Sequence, residues 1–187
     1  MTNYDMKKKV LALIEELNPE SELLTDDPDI SAKINEVINQ VMFELARLKK
    51  IPKYVEMKVA EGDLVTFGDI EAACGYAIFQ LGTVCGVSYT PKAGGTILKI
   101  HESGVAEIDC YVYPERIEAS TKDKSYEFEL SPDVLEIMPY GVAADLLKSD
   151  VSAEYGSIYG TRYEEMKSSL DPSYGTPSIT IEGGYSI

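Results

Sequence analysis

"YEFELSPDVLEIMPYGVAADLLKSDVSAEYGSIYGTRYEEM", residues 126–166, decides how the rest of the chain is read. It opens with an apolar period of two, Tyr126, Phe128 and Leu130, which predicts a strand. The period then changes. Ser131 suits an N-cap with Pro132 at the first helical position, and Leu135, Met138, Val142 and Leu146 form a helical stripe. "KSDVS" is a short connection to an antiparallel helix whose face carries Tyr155, Tyr159, Tyr163, Met166 and Leu170, ended by Asp171-Pro172. Both helices contain residues that disfavour helix: Pro139, which must kink or restart the first, and Gly141, Gly156 and Gly160. Relative to Ala, a helix interior loses roughly 1 kcal/mol per Gly and about 3 per Pro. Gly156 and Gly160 share one helical face beside Ala153, while Gly141 and Ala144 are three apart on the preceding helix. Small residues on facing helices let backbones approach closely, which offsets the propensity loss with added contact. Gly141, Ala144, Tyr155, Gly156, Tyr159 and Gly160 are therefore the expected helix-packing or subunit-interface residues, and overfilling at Gly160 is expected to disrupt that packing. Such spacing in an apolar segment would suggest a membrane dimer, which Glu154, Arg162 and Glu164 exclude.

Working outward, the N-terminal third repeats the helical period. Met6, Val10, Leu13, Ile14 and Leu17 predict a helix over 4–18, closed by Pro19. Asp27 offers an N-cap with Pro28 next to it, and Ile30, Ile34, Val37, Ile38, Val41, Met42, Leu45 and Leu48 follow as one stripe over 28–50. Pro52 stops that helix. Between 54 and 130 the period is two: Val55, Met57 and Val59, then "LVTF", "GYAIF", "GTVCGVSY" and "GTILKI". Ser103-Gly104 predicts a hairpin into "VAEIDCYVYP", where Ala106, Ile108, Cys110 and Val112 share a face. The expected fold is α+β: a helical bundle core with an inserted antiparallel β unit. Residues 1–53 and 131–171 are the two parts of the core, 54–130 the insert, and 172–187 a flexible C-terminal tail in which Ile179 and Ile181 alternate as an edge strand would.

Composition limits the function classes. The chain has 187 residues, 44% hydrophobic and 26% charged, which is the make-up of a globular protein. Its formal net charge is −15, which repels phosphate backbones and anionic lipid. Sequence-specific nucleic-acid binding is not expected; an acidic surface favours solubility, and it also suits a passage through which DNA slides without sticking. Cys74, Cys85 and Cys110 are too few and too irregular for a disulfide framework or zinc site. The start, "MTNYDMKKKVLALIEEL", has an apolar run of five residues broken by Glu15 and Glu16, too short for a signal peptide or membrane span.

Motifs that carry chemistry are weak. A cysteine hydrolase would need Cys85 and His101, the single histidine, within hydrogen-bond reach. "DDPD" at 26–29 lacks the alternating ligands of a calcium loop, and Gly94-Gly95 lacks the flanking residues of a phosphate loop. No enzyme activity, metal or cofactor is expected.

"YVYPERI" at 111–117, the passage 126–150 ending in "MPYGVAADLLKSD", and "YGSIYGTRYEEM" at 155–166 together resemble the head–tail connector (adaptor) proteins of tailed bacteriophages and Gram-positive prophages. "DISAKINEVINQVMFELARL" at 29–48 is similar to their long second helix; residues 60–100 have no counterpart. The resemblance implies a non-enzymatic virion structural protein that forms a ring between portal and tail. Its implied partners are copies of itself, the portal protein, a tail-side neck or completion protein, and passing DNA bound without sequence specificity. Its implied location is the bacterial cytoplasm during assembly and then the virion neck, with the C-terminal tail (Ile179, Ile181) reaching a partner. The alternative is a soluble binding module whose β insert takes a ligand or partner at an aromatic-lined concavity, with Tyr89, Tyr111 and Tyr113 as candidates.

Overall fold

In the computed structural model, which describes residues 1–148 and 153–170, the chain is α+β and the change of period marks the change of layer. The helical part consists of α1 (Asn3–Leu13), α2 (Pro28–Leu48), α4 (Pro132–Leu146) and α5 (Ala153–Ser168). Helix α4 is its centre, packing against α1, α2 and α5. Asp27 caps α2 by accepting from the Asp29 and Ile30 amides, with Pro28 in the first turn as the sequence predicts. Helix α4 runs through Pro139 as one element, with Val134, Ile137, Met138, Pro139 and Val142 buried. Met6, Val10 and Leu11 of α1, Ile38, Val41, Met42 and Leu45 of α2, and Tyr163 and Leu170 complete this core. The helix expected over 4–18 stops at Leu13. Glu15 adopts a left-handed φ of 61°, and the following residues fold around Asn18, which hydrogen-bonds Leu24, Glu20 and Asp26.

The insert holds two three-stranded antiparallel sheets. Strands β1 (Ile51–Val59), β6 (Gly104–Val112) and β3 (Ile78–Cys85) form one in the order β1-β6-β3, and β1 pairs with β6 over nine residues. Strands β2 (Leu64–Thr66), β5 (Ile97–Ile100) and β4 (Tyr89–Lys92) form the other in the order β2-β5-β4. The apolar faces of both share one core, with Val55, Val65, Leu98, Ile100, Ile108 and Val112 buried in it.

Three expectations for this region are corrected. Ser103-Gly104 does not close a hairpin: β5 pairs with β2 and β4, while β6 pairs with β1 and β3, so the chain crosses between sheets there. Phe67, expected to end the strand "LVTF", instead opens α3 (Phe67–Cys74), with a capping box between Thr66 and Asp69 and Gly75 in the left-handed conformation at its end. Residues 126–130 are not a sheet strand. Their alternation is real, since Tyr126, Phe128 and Leu130 are buried, but they pack in the helical core and pair with the N-terminus through Asn3 N–Tyr126 O (3.0 Å) and Phe128 N–Met1 O (3.2 Å). The strands thus occupy 51–112, and the chain from Ile117 onward packs with the helices. Buried Asn39 of α2 holds that return: its amide donates to the Ile117 carbonyl and its oxygen accepts from the Ile117 amide, both at 2.9 Å.

Candidate functional site

The small residues of α4 and α5 meet, each for its own reason. A Cβ on Gly156 would lie 3.3 Å from the Ala144 carbonyl oxygen and 3.2 Å from Leu147 Cβ, so the α5 backbone approaches α4 closely here. At Gly141 a Cβ would come within 2.8 Å of the Tyr163 ring and 3.0 Å of Val41 Cγ1; this glycine accommodates a side chain, not a backbone. At Gly160 the only neighbour among the described residues is Ala144 Cβ at 3.8 Å, an ordinary contact, so a Cβ is crowded at Gly141 and Gly156 instead.

Tyrosines were expected to line the packed face of α5, and they divide. Tyr163 is buried against Gly141. Tyr159 is half-buried and donates its hydroxyl hydrogen bond to the Leu13 carbonyl, which ties α5 to the end of α1. Tyr155 is 64% exposed and Ile158, three residues on, is 59% exposed, which leaves two large apolar side chains of α5 open to solvent. Ile179 and Ile181 lie outside the described residues.

A groove of 810 Å³ runs between α4 and α5 over Gly141, Ala144 and Gly160. Glu44, Asp145, Glu164 and Glu165 contribute carboxylates to it, with Lys148 also lining it. Lys167 bridges Glu44 (2.8 Å) and Glu164 (2.5 Å) while lying over the Tyr163 ring. Partial burial works against its charge, but those two carboxylates outweigh it and hold its pKa above the ordinary lysine value. The Tyr163 hydroxyl, buried and beside the Glu44 carboxylate, is pushed well above the usual phenol range, first by burial and then by that negative charge. The surface here is acidic, and its tyrosine stays neutral.

A second cleft, of 780 Å³, lies where the helical part meets the β unit and was not foreseen as a whole. Phe43 and Arg47 of α2, Tyr76 and Ala77 before β3, and Tyr113 and Arg116 after β6 line it. Tyr113 stacks at a tilt between Phe43 and Phe79, with centroids 5.3 and 4.9 Å away, and its hydroxyl oxygen accepts from Arg47 Nε at 2.6 Å. Of the three aromatic candidates only Tyr113 lines this cleft. Tyr89 packs on the β core, and Tyr111 lies on β6 beneath the Lys50 ammonium, 4.8 Å from its ring centre. The one legible signal was the i, i+4 spacing of Phe43 and Arg47.

The Cys85–His101 pairing is not made. His101 Nε2 lies 2.7 Å from Thr90 Oγ1, whereas Cys85 is on β3 in the other sheet. Cys110 is a buried thiol, pushed up to about 11 chiefly by burial. Among the described residues no group of His, Cys, Asp and Glu side chains is placed to hold a metal ion, and no helix is long and apolar enough to cross a membrane. No protein-family model matches the chain, and no curated protein matches its sequence.

Proposed function

We propose that the chain is a non-enzymatic structural subunit of the head–tail connector type, which assembles with copies of itself into a ring between portal and tail. The observation that carries this reading is the exposed pair Tyr155 and Ile158 on α5, a helix otherwise fastened to the rest of the core. Large apolar side chains at helical spacing on one solvent face suit burial against a second copy. The resemblance of 111–117, 126–150 and 155–166 to phage connectors supports the same assignment. So does the acidic surface: a conduit rich in carboxylates does not hold phosphates by counterion release, so DNA passes without sequence-specific binding. In this reading the portal protein and a tail-side neck or completion protein are the other partners. The tail, with Ile179 and Ile181, reaches one of them by strand addition. The subunit resides in the bacterial cytoplasm during assembly and in the virion neck thereafter.

Sedimentation velocity and negative-stain imaging test it, on the chain alone and mixed with a phage portal protein. Rings or a ring–portal complex are expected from the parent, and Ile158→Asp is expected to abolish them while circular dichroism stays unchanged. A chain that remains monomeric in both settings, or an Ile158→Asp variant that assembles as the parent does, overturns the proposal.

A further inference from the structure

The groove between α4 and α5 has a floor that packing within the subunit does not explain. Gly141 and Gly156 are required inside the molecule, one by the Tyr163 ring and the other by the Ala144 carbonyl and Leu147. Gly160 is not. A Cβ there would have only Ala144 Cβ within 4 Å among the described residues, so the helix carries a weakening residue with no reason inside the subunit. It lies in the α5 wall of the groove, which is made of Ala153, Gly156, Ser157, Gly160 and Thr161. Small residues along that wall leave room for a side chain that comes from outside. Tyr163 gives an independent sign. It is 6% exposed and lines the groove, yet its hydroxyl has no hydrogen-bond partner among the described residues. Buried hydroxyls are hydrogen-bonded as a rule, and a group entering the groove can supply that bond.

The geometry of α5 identifies the occupant. Tyr155 stands on the other flank of the same helix, lining a cleft with Leu13 and Ile14, and Met166 lies on that flank too, beside Ala12 and Leu13. Ile158 follows Tyr155 by three residues and Arg162 follows Ile158 by four, so the three are neighbours on the helix surface. A subunit cannot turn this side of α5 into its own groove; a second copy can present it. Charge agrees. Glu44, Asp145, Glu164 and Glu165 rim the groove, with Lys148 and Lys167 offsetting part of their charge. Arg162 accompanies the apolar pair and is held loosely by Glu165 at 3.7 Å, both side chains being exposed. We infer that the α4–α5 groove of one copy receives Tyr155 and Ile158 from α5 of the next, with the incoming Tyr155 bringing its hydroxyl toward Tyr163 and Arg162 meeting the carboxylate rim. The contact joins unlike surfaces, so it propagates from copy to copy as a ring requires, whereas a contact between like surfaces stops at a dimer. The inference rests on the ring reading and names the surfaces that meet in it.

Two measurements on the full chain test it. Gly160→Leu places a large side chain on the groove floor. Its urea midpoint is expected to equal or exceed the parent's, because a Cβ at 160 is not crowded within the subunit, while the ring is lost from sedimentation velocity. Cross-linking does not depend on that variant folding, and decides alone if it unfolds. With exposed Cys85 changed to serine, one batch carries Ile158→Cys and another Lys148→Cys, at the α4 rim of the groove. Mixed and treated with a short bismaleimide, they are expected to give a covalent dimer of unlike chains, and neither batch alone to do so. Parent rings that persist in a folded Gly160→Leu overturn the inference and leave the ring reading standing. So does Ile158→Cys linking to itself and not to Lys148→Cys. A link within one chain between Lys148→Cys and Ile179→Cys would assign the groove to the chain's own tail and overturn it as well. A parent that never assembles overturns both the inference and the ring reading.

Discussion

At the scale of single residues, the cost of a helical glycine is set by what would stand where its side chain is missing. Gly141 and Gly160 are both interior helix positions, one on each helix of the α4–α5 pair, and intrinsic propensity treats them alike. Their surroundings do not. An alanine methyl at 141 must displace the edge of the Tyr163 ring, which is wedged beside Val41 and shielded from solvent. Overpacking of this kind typically costs about 1–3 kcal/mol, more than the roughly 1 kcal/mol that alanine recovers in propensity. At 160 the methyl makes an ordinary contact with Ala144, so only the gain remains. Urea denaturation is expected to show Gly141→Ala less stable than the parent and Gly160→Ala more stable, by about 0.5–1 kcal/mol in the latter. Shifts of the same sign would mean that propensity rather than contact governs both sites.

At the scale of elements, the helical stripes of α2 and α4 were legible because burial on one face leaves a period that any reading recovers: Ile34, Ile38, Val41, Met42 and Leu45 are all buried as spaced. The sheets were legible as strands but not as sheets. Nothing in "HESG" records that β5 and β6 pair with different neighbours, because pairing is decided by residues distant in sequence. Tyr126, Phe128 and Leu130 mislead for a related reason: an extended chain laid on helices alternates like a strand without joining a ladder. The missed helix α3 did carry its signal, Thr66 followed three residues later by Asp69 and closed by Gly75. The candidate sites were partly legible: the small residues do meet, but the junction cleft assembles from residues spread between 43 and 116. The α3 cap gives a direct test. The Thr66 hydroxyl and backbone amide donate to the Asp69 carboxylate and hold its pKa below the ordinary 3.8. A carboxyl depressed in the fold adds stability that is present above 3.8 and lost as pH falls through the lower folded value. Carboxyl NMR titration is expected to show Asp69 returning toward 3.8 in Thr66→Ala, and the first turn of α3 fraying at a higher pH than in the parent. An unchanged Asp69 titration would show that the hydroxyl contributes nothing to the cap.

At the scale of the whole molecule, two apolar cores sit on either side of a junction, and the polar contacts that cross it are few and specific. Lys53 of β1 meets Glu129, whose other oxygen accepts from the Tyr76 hydroxyl, and Arg47 of α2 meets Tyr113, while Ile51 packs against both cores. The helical core in turn encloses two phenols, and these set its limit at high pH. Tyr126 donates to the Glu115 carbonyl and is pushed up to about 12 first by burial and then by Glu115 and Glu129. Tyr163 is displaced in the same direction by burial and by Glu44. In the unfolded chain both would ionise near 10, so the fold retains protons that the unfolded state releases. A pKa raised in the fold gives stability that is complete below the unfolded value and lost as pH rises toward the folded one. Unfolding at constant urea is therefore expected to become easier above about pH 10, with the ring signals of Tyr126 and Tyr163 unshifted until the helical core opens. Tyr163→Phe keeps the ring against Gly141, removes the buried hydroxyl, and is expected to lessen that alkaline loss without lowering stability near neutrality. If Tyr163 titrates near 10 with the helices intact, its hydroxyl reaches water and the packing of α5 on α4 is looser than its contacts with Gly141 and Val41 require.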